Sequence, residues 1–156
     1  MTKDEQRAFQ VLTRLVGIRP RTESEMSRRL TEKGFAPEVA ERAIAQGRRA
    51  GLLDDRLFAR LYAEDRLMSR PCARRLLAQE LSNKGIHRQL AQEAASNALP
   101  EVDEQELAER ALAGGAHLWD RVSPDVARRR AAAFLLRRGF TPGVARKVVD
   151  QRYKER

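Results

Sequence analysis

The chain has 156 residues, of which 34% are charged and 5% aromatic, and 31 Lys and Arg outweigh 22 Asp and Glu for a formal net charge of +9. That length fits one ordinary domain or a short array of small units, and no run approaches the ~20 apolar residues a membrane-spanning helix needs. One cysteine, Cys72, leaves no internal disulfide framework, and the positive charge calls for an acidic partner such as nucleic acid or an acidic protein groove.

Met1 to Gln6 is charged and runs straight into a helix pattern, without the apolar stretch of a secretory signal, so a cytoplasmic location is expected. Val, Ile and Thr total only 17 residues, too few to supply a sheet. Ala, Leu, Arg, Glu and Gln dominate, and they favour helix. Phe9, Leu12, Leu15 and Val16 have the spacing of a first helix. Thr22-Glu23-Ser24-Glu25 has the spacing of a capping box ahead of Met26 and Leu30. Gly34 closes that helix and Pro37 opens the next. After a spacer at Gly51, Asp54 or Asp55 caps a helix carrying Leu57, Phe58, Leu61 and Tyr62. A helix ending at Gly85 and one through Leu90 and Ala91 follow. Beyond Leu99-Pro100, the residues Leu107, Ala108, Ala111, Leu112 and Leu118 form a helical stripe interrupted by Gly114-Gly115. Ser123-Pro124 opens a helix through Val126 to Arg137, and Thr141-Pro142 opens the last.

Three segments share one shape: Leu30 to Phe35, Leu81 to Ile86 and Leu135 to Phe140. Each has Leu four residues before a Gly, Lys or Arg one before it and a large apolar residue one after. An aliphatic residue and Ala follow at plus five and plus six. Physically, a basic residue suits the negative end of a helix, and Gly takes the left-handed position that ends it. Each copy is therefore a helix, a tight turn and a helix, with a further helix ahead of it. The expected fold is all-α: three tandem three-helix repeats, 1–52, 53–100 and 101–156, forming an elongated, curved array.

Catalytic constellations are poorly supplied. His87 and His117 stand far apart in sequence, one at a helix start and one beside Trp119, and both read as structural or surface groups. Neither phosphate-cradling glycine motif occurs. Asp54-Asp55 with Glu64-Asp65 could form a carboxylate set, but two acids at a helix start more simply satisfy free N–H groups. Cys72 has no second thiol at metal spacing and reads as an incidental helix-start residue. No catalytic group, metal or cofactor is expected.

The basic residues are the candidates for binding. Residues 101–120 hold six acids and one base, whereas residues 121–156 hold eleven bases and three acids. Arg128, Arg129 and Arg130 cannot share a face, since successive helical positions turn by about 100°. With Val126, Ala127, Ala131, Phe134 and Leu135 inward, Arg130 and Arg137 share one flank, Arg128 takes the other and Arg129 points outward. Arg146, Lys147, Arg152 and Lys154 extend the surface, and Arg74, Arg75, Lys84 and Arg88 make a smaller set in the middle repeat.

Three stretches carry a family resemblance. Gly51-Leu52-Leu53-Asp54-Asp55-Arg56-Leu57-Phe58-Ala59, Glu80-Leu81-Ser82-Asn83-Lys84-Gly85-Ile86 and Leu135-Leu136-Arg137-Arg138-Gly139-Phe140 resemble, in order and spacing, the signatures of the RecX family. Arg21 to Met26 and Lys33-Gly34-Phe35 fit the same pattern, so the resemblance spans about residues 8–150. It implies three tandem three-helix repeats and a regulatory, non-enzymatic protein. Such a protein binds a RecA recombinase filament, in the filament's helical groove, and depresses its ATPase, strand-exchange and coprotease activities. It also implies DNA backbone contact as a further partner interaction; independently of the resemblance, no membrane association and a monomer are expected. The residues assigned to partner contact are Arg75, Lys84, Arg130, Arg137, Arg138, Arg146, Lys147 and Arg152. Lys84 and Arg138, like Lys33, can alternatively serve as helix C-terminal partners. The competing reading is a helix-turn-helix protein reading DNA directly, against which the helix starts Pro37-Glu38 and Pro142-Gly143 offer few base-reading side chains.

Overall fold

The structure is a computed structural model and describes residues 1–119 and 121–154. Among these there are nine α-helices and no strand. They are α1 (Lys3–Ile18), α2 (Glu23–Glu32), α3 (Pro37–Arg49), α4 (Asp55–Ser69), α5 (Arg74–Asn83), α6 (Arg88–Asn97), α7 (Glu104–Gly115), α8 (Pro124–Arg137) and α9 (Pro142–Tyr153).

The caps explain why each helix starts where it does. Thr2 and Glu5 form a full capping box, Glu5 N donating to Thr2 Oγ1 at 3.1 Å and Thr2 N to Glu5 Oε2 at 3.3 Å. At Thr22 only half the expected box forms. Its hydroxyl accepts from Glu25 N at 3.0 Å, but the Glu25 carboxylate is taken by Arg19 and Arg21 instead. Asp54, rather than Asp55, caps α4 by accepting from Leu57 N at 3.0 Å. Asp55 accepts from Glu23 N at 2.9 Å. His87 Nδ1 accepts from Gln89 N at the start of α6, a structural task for that ring.

The repeated glycine turn has one geometry in all three copies. Gly34, Gly85 and Gly139 hold φ of 94°, 92° and 91°, the left-handed region that an L side chain enters only at a cost. In each, the apolar residue after the Gly donates its N–H back to the repeat's Leu: Phe35 to Leu30 at 3.2 Å, Ile86 to Leu81 at 3.1 Å and Phe140 to Leu135 at 3.2 Å. This is the bonding of a Schellman cap. The three leucines are fully buried, each stabilising the fold by about 2 kcal/mol through removal of its side chain from water.

The described residues cluster into two compact units: Met1–Leu61 with Leu81–Ala91, and Tyr62–Glu80 with the described part of Gln92–Arg156. The first is built on α1, α2 and α3, whose core holds Ala8, Leu12, Met26, Leu30, Ala40, Ala43, Ile44 and Leu53. The second is built on α7, α8 and α9, with Leu107, Leu112, Leu135, Phe140 and Val148 buried. There Trp119 meets Phe134 edge-on at 5.5 Å between ring centroids.

Three details of the helices differ from what residue spacing suggests. On α4 the buried stripe is Ala59, Ala63 and Leu67, while Leu57 and Leu61 are exposed. Leu118 is exposed too, because α7 runs through Gly114 to Gly115 and then tightens into a 3₁₀ turn, Ala116–Trp119, that buries Trp119 instead. Cys72 is not a helix-start residue. It lies two residues ahead of α5 with its side chain fully buried.

Candidate interaction surface

Of the eight cations assigned to partner contact, seven lie in the second unit and Lys84 lies in the first. The seven divide by what their side chains do. Arg130 and Arg137 on α8, with Arg146, Lys147 and Arg152 on α9, are exposed, and none has an acidic partner among the described residues. Arg75 and Arg138 are engaged within the fold. Arg75 Nε donates to the Gly139 carbonyl at 2.6 Å. Arg138 donates to the Pro71 carbonyl at 3.0 Å, and its guanidinium carbon lies 4.5 Å from the Phe134 ring centre. Burial, with Arg66 and Arg70 nearby, pushes the Arg138 guanidinium below its ordinary pKa. Arg74, grouped with Arg75 in the sequence, is half-buried and likewise engaged within the fold. It donates to the carbonyls of Ala95, Ala98 and Leu99 at the end of α6 and pairs with Glu104, closing carbonyls that a helix C-terminus leaves open.

Residue spacing puts Arg128 on the flank opposite Arg130 and Arg129 outward; the structure adds what each one meets. Arg128 reaches across to α9, pairs with Asp150 and donates to the Tyr153 carbonyl at 3.3 Å. Arg129 and Arg146 stand beside a groove of about 430 Å³ between α8 and α9, with Ala132, Leu136 and Val149 among its apolar lining. The signal was present as Arg129, Ala132 and Leu136, spaced to share one face. In the first unit, a polar cavity of about 460 Å³ brings Lys84 together with Arg28 and Arg29 from α2, a grouping the linear sequence does not display.

The half-buried ionic cluster of the second unit has a structural character. Arg66 Nε donates to Glu80 at 3.0 and 3.2 Å, and Tyr62 donates its hydroxyl to the same carboxylate at 3.0 Å. Burial pushes the neighbouring Cys72 thiol up, and Arg66 only partly offsets it. A raised thiol pKa is the opposite of what a nucleophilic cysteine needs.

The repeated joint is the other feature of the surface. Thr22 donates its hydroxyl to the Lys84 carbonyl at 2.8 Å, and Gly85 lies against Ser24. Ala73 donates its N–H to the Arg138 carbonyl at 2.9 Å, and Gly139 lies against Leu76. A basic-Gly turn is thus seated on the segment that starts an earlier middle helix, first α2 and then α5.

Comparison with known proteins places these features in a family context. Residues 8–46 match the family model for the first three-helix domain of RecX, and residues 54–94 match that for its second three-helix domain. The chain is 32% identical over 152 residues to the regulatory protein RecX of Amycolatopsis mediterranei, covering 96% of this chain and 85% of that protein. Against the regulatory protein RecX of Streptomyces coelicolor it is 32% identical over 150 residues, 96% of this chain and 79% of that one. The crystal structure of RecX from Lactobacillus salivarius superposes with a TM-score of 0.77 at 16% identity, over 99% of each chain. A second crystal structure, of a regulatory protein RecX, gives a TM-score of 0.77 at 22% identity over 94% of this chain and 72% of that one.

Proposed function

Because the chain belongs to the RecX family, we propose that it is a regulator that binds a RecA filament and restrains its ATPase, strand-exchange and coprotease activities. The observation that carries this reading is the exposed set Arg130, Arg137, Arg146, Lys147 and Arg152, cations without acidic partners among the described residues. Positive charge left unpaired on two adjacent helices complements acidic filament surface or the DNA backbone within the filament. Arg75 and Arg138 act indirectly, by holding the turn before α9 in place. Lys84, in the cavity with Arg28 and Arg29, adds a separate basic contact. The reading gives the protein no reaction of its own, and it acts as a monomer in the cytoplasm.

The test is the single-stranded-DNA-dependent ATPase of the cognate RecA at low salt, with and without the protein. Wild type lowers the rate, and the double variant Arg130→Glu with Arg137→Glu lowers it much less. Undiminished ATPase with wild type overturns the proposal. A gel shift showing strong preference for one duplex sequence would replace it with direct DNA reading.

A further inference from the structure

The three basic-Gly turns are alike in backbone but not in surroundings. Gly85 and Gly139 are seated: a Cβ added at Gly85 would lie 2.1 Å from the Ser24 Cβ, and one added at Gly139 would lie 2.8 Å from the Leu76 Cβ. The same construction at Gly34 meets no described residue within 4 Å. Its turn nonetheless has the same left-handed φ and the same back-bonded apolar residue. Gly34 thus retains the shape that elsewhere receives a helix start, and Lys33 and Gly34 are exposed.

The two seated copies define what that shape accepts. Each host is the segment opening a helix, with a proline two residues before the residue that donates to the turn: Pro20 before Thr22, Pro71 before Ala73. Each host donates one hydrogen bond to the carbonyl of the basic residue, Lys84 or Arg138. Each then brings a side chain so close to the glycine that no Cβ fits between them. The first-unit host also places Glu23 and Glu25 in its first turn, acids that suit a helix start, where they pair with Arg48 and with Arg19 and Arg21.

We infer that the Lys33-Gly34-Phe35 turn is a second docking point for the protein partner, receiving the N-terminus of a partner helix as Lys84-Gly85 receives the start of α2. The expected occupant donates an N–H or hydroxyl to the Lys33 carbonyl, packs a residue directly on Gly34 and carries acids in its first turn, complementing Arg29 and Lys33. A nucleic-acid backbone does not meet that description, because it has no donor for the Lys33 carbonyl among its phosphate oxygens. The inference rests on the regulatory reading for the partner's identity and adds a contact outside the α8–α9 cations.

The experiment substitutes Gly34 by Asn, which tolerates the left-handed conformation yet fills the surface a docked residue would occupy. Gly51→Asn is the control. Gly51 also holds a positive φ, 78°, in open space, and it lies outside the three repeated turns. Both variants are expected to unfold at closely similar urea midpoints. Gly34→Asn should raise the concentration needed for half-inhibition of the cognate RecA's ATPase by about tenfold, and Gly51→Asn should leave it unchanged. Equal inhibition by Gly34→Asn and wild type overturns the inference and leaves the regulatory reading standing, as does equal loss in both variants. If wild type itself does not inhibit, the regulatory reading falls and the inference falls with it.

Discussion

Gly85 and Ser24, 61 positions apart, approach so closely that a Cβ on the glycine would sit 2.1 Å from the Cβ of the serine. The contact gives Gly85 two separate reasons to be glycine, its φ of 92° and its lack of a side chain. Gly34 has only the first. Gly34→Ala is therefore expected to cost about 1 kcal/mol, the price of a left-handed L residue. Gly85→Ala should cost about 3 kcal/mol, because overpacking adds to the backbone strain. Urea unfolding of both variants checks this. Equal losses would show that the Ser24 contact yields freely.

The turns were legible because their requirement is local. A basic residue, a glycine and a large apolar residue at fixed spacing behind a leucine describe one helix end wherever they occur. What the glycine touches is not local, and nothing in residues 81–86 points to Ser24. The misplaced stripe on α4 has a related cause. Leu57 and Leu61 look like core by hydrophobicity, yet Ala59 and Ala63 are the buried residues, since close-packed helices bury small side chains as readily as large ones. Among the arginines, charge and helical position made Arg74, Arg75 and Arg138 resemble Arg130 and Arg137. Only the three-dimensional fold reveals which of them meet carbonyls.

Cys72 provides a chemical check on the core. Burial raises its thiol pKa, with Arg66 working in the opposite direction, so little thiolate exists near neutrality and reagent access is poor. Iodoacetamide at about pH 8 should leave the folded protein essentially unmodified and label it rapidly once it is unfolded in urea. Fast labelling of the folded protein would mean that the segment ahead of α5 opens readily.

The Arg66–Glu80 pair is an enclosed ion pair of the second unit, with 10% and 25% of the respective side chains exposed. Arg66 Nη1 is buried without a hydrogen-bond partner among the described residues, so this arginine depends on the carboxylate for its neutralisation. Glu80→Gln should destabilise by about 2 kcal/mol, less than a fully buried pair would lose because Glu80 retains some water. The double variant Arg66→Met with Glu80→Gln should recover part of that loss, since no uncompensated charge then remains. Additive losses in a double-mutant cycle would show that the two side chains act independently.

Glu25 sets a pH dependence whose direction follows from its neighbours. Burial alone would raise its carboxyl, but hydrogen bonds from Arg19 and Arg21 outweigh it and hold the group below its ordinary value of 4.5. A folded-state pKa below the unfolded one means that the unfolded chain takes up the proton first as pH falls. The resulting stability is fully present above the unfolded value and is lost as pH drops through 4.5 toward the folded pKa. Glu25→Gln should therefore be less stable than wild type at about pH 7, and the gap should narrow by about pH 3. Urea midpoints of both proteins at the two pH values measure it. A gap that stays constant would show that the arginines do not favour the ionised carboxylate, and one that widens in acid would reverse the assigned sign.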